Sequence, residues 1–383
     1  MVWGPPEYID TAKKLVDQFN QQTPSIQVTY TSVPWTNMYQ TYVTAIGSGT
    51  APDISTGAGF QAADFYGQGA ILEIDDVVQE LKNSGKADDF VAGSIDSLRV
   101  NGHYVTLPWQ IDIRIPWYNK DLLEKAGVGP PKTWDEFAVA MQKLTSGQQY
   151  GFVSSGPEIG AQHLWEFMIN NDGGLFTEDK KVNLMADRNV EALTWFSNFV
   201  KAQQISPASA GYLSDDAVKV FGQGNAAMFI HTPGFDKRFP EIKIGALEPL
   251  TGPHGTQGTV HWVNNIMIYK QTKHPDETKT FLKWWSENQK PLWTEGHQGG
   301  LVVRKSFATD PYFQNDANLK IIFDKWLPVA KTFPYHYTQL FPELNTVEGE
   351  GWAATMTTEL LQGKDVQQTM KKSEDKLKTL VKS

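Results

Sequence analysis

The residues best suited to catalysis in this chain are carboxylates, since Asp112 could pair with Glu158 or with Glu350. Two carboxyl groups on either side of a glycosidic bond can hydrolyse it. A buried carboxylate can also accept hydrogen bonds from two hydroxyl groups without any reaction. Because the sequence does not give the distance between these groups, an enzyme and a binding site both remain open.

The chain is rich in aromatic side chains, with 13 Trp among 12% aromatic residues. A buried indole needs a partner for its N–H group, so tryptophan suits surfaces that are flat and partly polar. Sugars have an apolar C–H face and hydroxyl groups at the edge, and they match such surfaces. We expect at least half of the tryptophans to pack in the core, and the rest to be candidates for ligand contact.

The sequence lacks the residues or motifs that disulfides, cysteine chemistry, metal sites and nucleotide binding require. There is no cysteine, which removes disulfides, thiolate nucleophiles and cysteine metal sites. The eight histidines form no HExxH motif and no i, i+4 pair, so we predict no metal site. The segments 57–62 and 349–354 both match a dinucleotide-binding pattern in unrelated contexts, which shows how weak the match is. We therefore predict no cofactor.

The net charge of −9 is spread along the chain, which argues against a nucleic-acid partner. No apolar run is long enough to span a bilayer. Met1 is followed at once by an apolar segment that resembles a first strand, and we expect Met1 to stand in place of a removed export signal.

The pattern of apolar residues predicts alternating helices and strands. We predict a helix from Ile9, a strand over residues 26–30, a helix around residues 38–46 and a strand from Pro52. A further helix is predicted to start at a capping box formed by Thr133 and Glu136. Three more helices are predicted at 187–203, at 275–288 and from about residue 366. This alternation predicts an α/β fold, and 383 residues favour two lobes.

Five stretches in order along the chain resemble the family 1 extracellular solute-binding proteins of ABC sugar importers, which include the maltose- and trehalose-binding proteins. The stretches that carry the resemblance are APDI at 51–54, GHYVTLP at 102–108 leading into YNKDLL at 118–123, PKTWDEF at 131–137, FGQGNAAM at 221–228, and the segment 274–306. The resemblance covers nearly the whole chain.

The resemblance implies a periplasmic-binding-protein-like fold, in which two α/β lobes are joined by a hinge and the ligand cleft lies between them. Lobe one would contain residues 1–109 and 264–317, and lobe two residues 110–263 and 318–383. The implied function is extracytoplasmic sugar binding by hinge closure, with delivery to the membrane permease of an ABC transporter. We then expect a monomer without enzymatic activity, in the periplasm or as a lipoprotein on the cell surface.

Candidate ligand contacts follow from the resemblance and from the residue types. In the first crossing segment, Gln110, Asp112 and Arg114 share one face of an extended strand, and Arg114 could orient Asp112. The second crossing segment contains a further aromatic candidate, Trp262. The full predicted set is Glu7, Trp35, Phe60, Gln61, Trp109, Asp112, Arg114, His163, Trp165, Phe235, His261, Trp262, Asn264, Glu350 and Trp352.

Two alternatives stay open. The chain could be a glycoside hydrolase that uses Asp112 and a second carboxylate. It could also be a receptor for a ligand that is not a sugar, such as a polyamine, for which Asp112 and Glu7 would suit better than the neighbouring Arg114.

Overall fold

The computed structural model describes residues 1–6 and 8–381. The chain divides into two compact units. Unit 1 contains Met1–Asp112, Trp262–Gln314 and Gln339–Asn345, and unit 2 contains Ile113–His261, Asn315–Thr338 and Thr346–Ser383. The sequence-based division gives residues 339–345 to lobe two, but Leu340 and Pro342 pack against residues of unit 1.

Most strands are short. In chain order they are β1 (Val2–Gly4), β2 (Tyr30–Ser32), β3 (Ile54–Gly57), β4 (Arg99–Val100), β5 (His103–Tyr104), β6 (Leu107–Ile113), β7 (Ile115–Asn119), β8 (Tyr150–Phe152), β9 (Ala226–His231), β10 (Ile244–Ala246), β11 (Thr259–Ile268), β12 (Leu301–Val302) and β13 (Ala330–Thr332).

The α-helices surround the sheets. They are α1 (Ile9–Gln22), α2 (Trp35–Ser48), α3 (Gln61–Gly67), α4 (Asp75–Asn83), α5 (Lys120–Lys125), α6 (Trp134–Leu144), α7 (Gly160–Asn170), α8 (Asp187–Lys201), α9 (Ser214–Gly222), α10 (Pro275–Asn288), α11 (Pro291–Thr294), α12 (Lys305–Ala308), α13 (Pro311–Gln314), α14 (Ala317–Ile321), α15 (Leu344–Gly349), α16 (Trp352–Leu361) and α17 (Val366–Leu380). A π-helical turn at Ile322–Trp326 and short 3₁₀ turns complete the set.

The main sheet of unit 1 has the strand order β12-β6-β11-β3-β1-β2. Strands β1, β2 and β3 are parallel, and β11 is antiparallel to β3 with Asn265 opposite Gly57. The chain passes from unit 1 to unit 2 within β6 and returns within β11. The β1–β3 order with covering helices is the parallel α/β arrangement that the sequence predicts.

Aromatic residues form two groups of ring contacts in the core of unit 1. Tyr42, Phe65 and Tyr269 pack together, and Trp109 lies between Tyr8 and Trp293.

Helices α4 and α10 are linked by a row of ion pairs, which we call the α4–α10 ladder. Lys279 contacts Asp76 at 2.6 Å, Lys283 contacts Glu80 at 2.7 Å, and Lys86, just after α4, contacts Glu287 at 2.7 Å.

Unit 2 is built on a sheet with the order β10-β7-β9-β8. Strand β7 is antiparallel to both neighbours, and β8 is parallel to β9. One side chain joins several segments of this unit, since Asn170 accepts from the Trp134 indole and donates to the carbonyls of Leu250 and Gly258. The core around it contains Trp195, which stacks on Trp134 at 4.1 Å between ring centroids.

The predicted elements agree with the structure at most positions. The helices predicted at 9, 38–46, 187–203 and 275–288 are present, and α2 ends at Gly49 in the left-handed conformation, where glycine avoids the Cβ clash. The strand predicted over 26–30 is wrong in its position, because β2 begins only at Tyr30. The capping box is half right: Thr133 accepts from the Glu136 N–H, but the Glu136 carboxylate accepts from the Lys132 N–H.

The length and hydropathy of the helices in the described residues can be compared with what a membrane-spanning helix requires. None of those helices is both long enough and apolar enough to cross a membrane.

Candidate functional site

In unit 1, polar and aromatic candidates collect at one edge of the main sheet. The parallel strands β1, β2 and β3 end at this edge, and β11 runs the opposite way. Since Asn265 lies opposite Gly57, the preceding residues of β11, including Asn264 and Trp262, extend past the end of β3. The carboxyl edge of an open α/β sheet is the usual place for a ligand.

Strands β6 and β11 place four of these side chains on one face. The amide of Asn264 donates to Gln110 Oε1 at 2.8 Å, which fixes these two side chains on the same side of the pair. Alternate residues of a strand share a face, so Asp112 and Trp262 lie on that side as well. The result is a surface with a half-buried carboxylate, two amides and an indole.

The loop after β3 packs against β11 next to this surface. Gln61 Oε1 accepts from the Ala58 N–H at 3.1 Å, and Asn265 donates to the carbonyls of Ala58 and Gly59. A Cβ at position 59 would lie 3.2 Å from the Val263 carbonyl oxygen, a tight contact, so glycine favours the close approach of this loop. Phe60 and Gln61 are buried at the start of α3 by this contact.

Two tryptophans of unit 1 have structural environments. Trp35 begins α2 and packs against the core cluster of Met38 and Tyr42, in keeping with a role as a staple for that helix. Trp109 is fully buried between Tyr8 and Trp293. The predicted contact Glu7 lies outside the described residues.

In unit 2, a second set of candidates lies at the edge where β7 begins and β8 and β9 end. Ile115 lies opposite His231, and Arg114 immediately precedes β7. The backbone of Arg114 is held to β11, because its N–H donates to the Val260 carbonyl at 3.2 Å and its carbonyl accepts from Thr259 at 2.7 Å.

The Arg114 side chain is buried and contacts helix α7. Its Nε donates to Gln162 Oε1 at 2.5 Å. Glu166 lies one turn further along the same face of α7 and is 2% exposed. Burial raises the pKa of Glu166 well above its usual range, while the charge of Arg114 acts in the opposite direction. Glu166 Oε2 has no hydrogen-bond partner among the described residues.

His163 is held at both ring nitrogens. Nδ1 lies 2.9 Å from Ser154 Oγ, and Nε2 lies 3.0 Å from the Ile230 carbonyl oxygen. Nε2 must carry the proton, since a carbonyl only accepts, and Nδ1 then accepts from the serine. Burial lowers the pKa of His163 to about 3. These contacts account for the position of His163 without a ligand, so we leave it out of the proposed site.

Trp165 is the aromatic candidate of α7. Its ring packs edge to face against Phe333 at 4.6 Å between centroids. Phe333 directly follows β13, whose Thr332 lies opposite the predicted contact His261 on β11. The two rings thus lie near the strand on which the chain leaves unit 2.

Three further candidates of unit 2 are accounted for by local packing. Phe235 belongs to an aromatic core with His231 and Phe221. Trp352 donates its indole N–H to the Val347 carbonyl. Glu350 is exposed and pairs with Lys376 at 3.3 Å.

Sequence analysis missed the residues that surround Arg114 and Trp165. Gln162 and Glu166 are polar residues four positions apart in a largely apolar helix, a signal that could have been used. Phe333 gave no such signal, because its contact with Trp165 joins residues 168 positions apart in the chain.

One group of possible metal ligands occurs in the described part of the chain, at Glu73, Asp75 and His103 of unit 1. All three side chains are about half exposed, and His103 Nδ1 lies 3.0 Å from Asp75. A hydrogen bond from His103 to Asp75 and the charge of Glu73 raise the pKa of His103. The interactions within the group satisfy these side chains as an exposed ion-pair cluster.

The set in unit 1 provides hydrogen-bond acceptors and an indole, the set in unit 2 provides a buried guanidinium and flat aromatic surfaces, and neither set has an activated nucleophile among the described candidates. Such an arrangement can bind a polar solute with hydroxyl groups and ring faces. Two α/β units that carry such groups are the arrangement expected of a solute-binding protein.

Comparisons with known proteins agree. The family model described as bacterial extracellular solute-binding protein matches residues 5–290. A sugar transporter from Arthrobacter chlorophenolicus A6, solved with bound laminaribiose, is 34% identical, with a TM-score of 0.90 and coverage of 100% of this chain and 99% of that chain. A putative binding protein of Brucella abortus (strain 2308) is 26% identical over 336 residues, which are 85% of this chain and 80% of the relative.

An arabinooligosaccharide-binding protein of Bacillus subtilis (strain 168) is 25% identical over 304 residues, which are 73% of this chain and 68% of the relative. This chain belongs to the bacterial extracellular solute-binding protein family. The predicted resemblance and the predicted α/β, periplasmic-binding-protein-like fold class are confirmed. The family binds solutes for transport, so the chain is not an enzyme, and the hydrolase alternative is set aside.

Proposed function

We propose that this protein is the extracytoplasmic receptor of an ABC importer and that it binds a carbohydrate, a disaccharide or an oligosaccharide. The observation that carries the proposal is the match over the whole chain to the structure with bound laminaribiose. The name of the Bacillus relative, which binds arabino-oligosaccharides, supports the same class of ligand.

The proposed contacts in unit 1 are Gln61, Asp112, Trp262 and Asn264. The indole of Trp262 covers a C–H face of the sugar, and Asp112 accepts hydrogen bonds from its hydroxyl groups. These two roles are supported by the face that the side chains share, since the hydrogen bond between Asn264 and Gln110 fixes that face and strand alternation extends it to Asp112 and Trp262. A site that hydrogen-bonds a hydroxyl discriminates strongly, because an analogue without that hydroxyl leaves a polar group unpaired.

The proposed contacts in unit 2 are Arg114 and the ring pair of Trp165 and Phe333, with His261 on the adjoining strand. The buried guanidinium donates to hydroxyl or ring oxygens, and the ring pair offers an apolar surface.

Sugar binding selects the closed form of the receptor, since a ligand shifts a conformational equilibrium by its difference in affinity for the two states. The closed form then delivers the sugar to the permease subunits. We further propose that the receptor is a monomer, in the periplasm or lipid-anchored at the cell surface.

The first test is a thermal-shift panel followed by titration calorimetry with laminaribiose, maltose and arabino-oligosaccharides. At least one sugar is expected to raise the melting temperature and to bind with a dissociation constant in the micromolar range or below, about −8 kcal/mol or stronger. If no carbohydrate binds, and a polyamine or amino acid does, the proposal is wrong.

The second test uses variants and the sugar found in the first. Trp262→Ala and Asp112→Asn are each expected to weaken binding at least about tenfold, since buried aromatic and charged contacts dominate binding energy. Trp284→Phe is the matched control, because that indole donates to Gln22 outside the proposed site. Unchanged affinity in both site variants would contradict the assignment.

A further inference from the structure

Three neighbouring strands of the unit 1 sheet are joined by a chain of hydrogen bonds, which we call the amide relay: the Gly299 carbonyl, Gln110 and Asn264. Strands β12, β6 and β11 lie side by side, with Gly299 just before β12, and the relay runs across them. Gln110 Nε2 donates to the Gly299 carbonyl at 2.5 Å, and Gln110 Oε1 accepts from Asn264 Nδ2 at 2.8 Å. Both side chains are buried, so water does not compete freely for these bonds.

The loop before β12 holds the first member of the relay in place. The Trp293 indole donates to the Gly300 carbonyl at 3.3 Å, which ties the loop to the aromatic core. Gly300 has a φ of +77°, and a Cβ there would lie 2.4 Å from Gln110 Nε2. Because residue 300 is a glycine, the loop can bring the Gly299 carbonyl up to Gln110.

The direction of each bond in the relay follows from its first member. A backbone carbonyl only accepts, so Gln110 must present its NH₂ group to Gly299. The Gln110 oxygen then faces Asn264, which must present its own NH₂ group to that oxygen. Turning the Asn264 amide by 180° would break this bond and bring two oxygens together in a buried place. The Asn264 amide therefore has one favoured orientation.

Asn264 Oδ1 is the atom that this orientation leaves for a ligand. No group of the described residues donates to it, and it does not belong to their buried polar atoms without a partner, so solvent can reach it. The side chain lies on the face of β6 and β11 that also carries Asp112 and Trp262. An amide oxygen only accepts, so this position requires a hydrogen-bond donor on the ligand.

We infer that Gln110 is a positioning residue of the proposed sugar site and that it acts through Asn264. By holding the NH₂ group of Asn264, Gln110 turns Oδ1 toward the ligand and fixes it as an acceptor. The site therefore selects a hydroxyl group at this point of the sugar and rejects a ligand atom that can only accept. This inference rests on the proposed function and adds to it a determinant of specificity.

The test compares derivatives of one sugar by titration calorimetry. The parent is the sugar among laminaribiose, maltose and arabino-oligosaccharides that binds the wild type best, and each derivative has one hydroxyl replaced by hydrogen (deoxy) or by fluorine (fluoro). At the hydroxyl that meets Asn264, both derivatives lose the hydrogen bond, but only the fluorine faces a fixed oxygen. The wild type is expected to bind this deoxy derivative about tenfold more weakly than the parent, and the fluoro derivative at least about threefold more weakly still.

Gln110→Met keeps the length of the side chain and removes the relay. The Asn264 amide can then turn its NH₂ group toward the fluorine, so at one hydroxyl position the fluoro and deoxy derivatives are expected to bind equally. A merely structural role of Gln110 would lower all affinities together and keep their order. Asn264→Leu leaves the bond from Gln110 to Gly299 intact and is expected to abolish the difference at the same position, which keeps the test decisive if Gln110→Met does not fold.

Gln271→Met is the matched control, because Gln271 also joins two backbone groups of unit 1, beyond the far end of β11. Its amide donates to the Ile46 carbonyl at 2.7 Å and accepts from the Ala51 N–H at 3.1 Å. It is expected to keep the wild-type order of affinities at every position. If the wild type binds sugar and neither site variant changes that order at any position, the inference is wrong while the proposed function stands. If the wild type binds no sugar at all, the proposed function itself fails.

Discussion

His163 and Glu166 lie three positions apart on α7, and burial acts on their charges in opposite directions. Desolvation lowers the pKa of His163 to about 3 and raises that of Glu166. Burial therefore disfavours the charged form of each side chain, because neither charge would be solvated in the packed surroundings of α7.

The histidine makes folding sensitive to acid. Below pH 6.5 an exposed histidine in the unfolded chain binds a proton, whereas His163 in the folded chain binds one only near pH 3. The contribution of His163 to the free energy of unfolding is thus fully present above pH 6.5 and is lost as the pH falls through this window, by on the order of 5 kcal/mol in all. Urea unfolding at pH 7, 5.5 and 4 should show a steeper loss in the wild type than in His163→Gln.

His103→Gln is the control for this measurement, because the exposed His103 has a raised pKa and its contribution runs the other way. Its contribution is present at low pH and is lost as the pH rises, so removing it should not flatten the acid loss. Equal slopes for the wild type and His163→Gln would contradict the assignment.

At the scale of elements, the entry into α7 depends on a tight approach of two backbone segments. The Gly160 N–H donates to the Ser155 carbonyl at 2.8 Å, and a Cβ on Gly160 would overlap that oxygen. Gly160→Ala is expected to lower the free energy of unfolding by about 1–3 kcal/mol, the usual cost of overpacking. Thermal or urea denaturation measures this directly.

Gly129→Ala provides the comparison, because a Cβ added at Gly129 would have no atom within 4 Å and this glycine lies on the surface. It should leave stability nearly unchanged. A loss as small for Gly160→Ala would mean that the loop before α7 can move aside.

The long helices were predictable from sequence because each carries an apolar face with a clear period. α1 buries Ala12, Leu15, Val16 and Phe19 as the pattern indicates. The strands were harder, since β2 has only three residues and no buried one, so alternation upstream at Ile26 and Val28 misplaced it. Strands this short are positioned by their neighbours in the sheet more than by their own pattern.

At the scale of the whole molecule, the proposed function predicts that stability depends on sugar concentration. A ligand that binds only the native state adds RT ln(1 + [L]/Kd), about 2.7 kcal/mol at a hundredfold excess over Kd. The apparent melting temperature should therefore rise steadily with the logarithm of sugar concentration. A plateau at stoichiometric sugar, or no rise at all, would contradict specific binding to the native state.

The site was only partly predictable at this scale. Asp112 and Trp262 are predicted from the crossing strands, because alternation along an extended segment fixes which residues share a face, and both stay proposed contacts. Sequence alone could not separate His163, Phe235 and Trp352 from ligand contacts, since histidine and aromatic residues serve cores and sites equally well. Their partners, such as Ile230 for His163, are distant in the chain and appear only in the folded unit.

The α4–α10 ladder bears on the alignment of the two helices as well as on stability. Its members are partly exposed, so each pair contributes little to stability and is screened by salt. Yet the order of charges along α4 and the residues just after it is acid, acid, base, and the order along α10 is base, base, acid. Sliding one helix by a turn in one direction brings Glu287 against Glu80, and in the other Lys283 against Lys86. Either shift places two like charges opposite each other, so the order of the charges favours one alignment of the two helices.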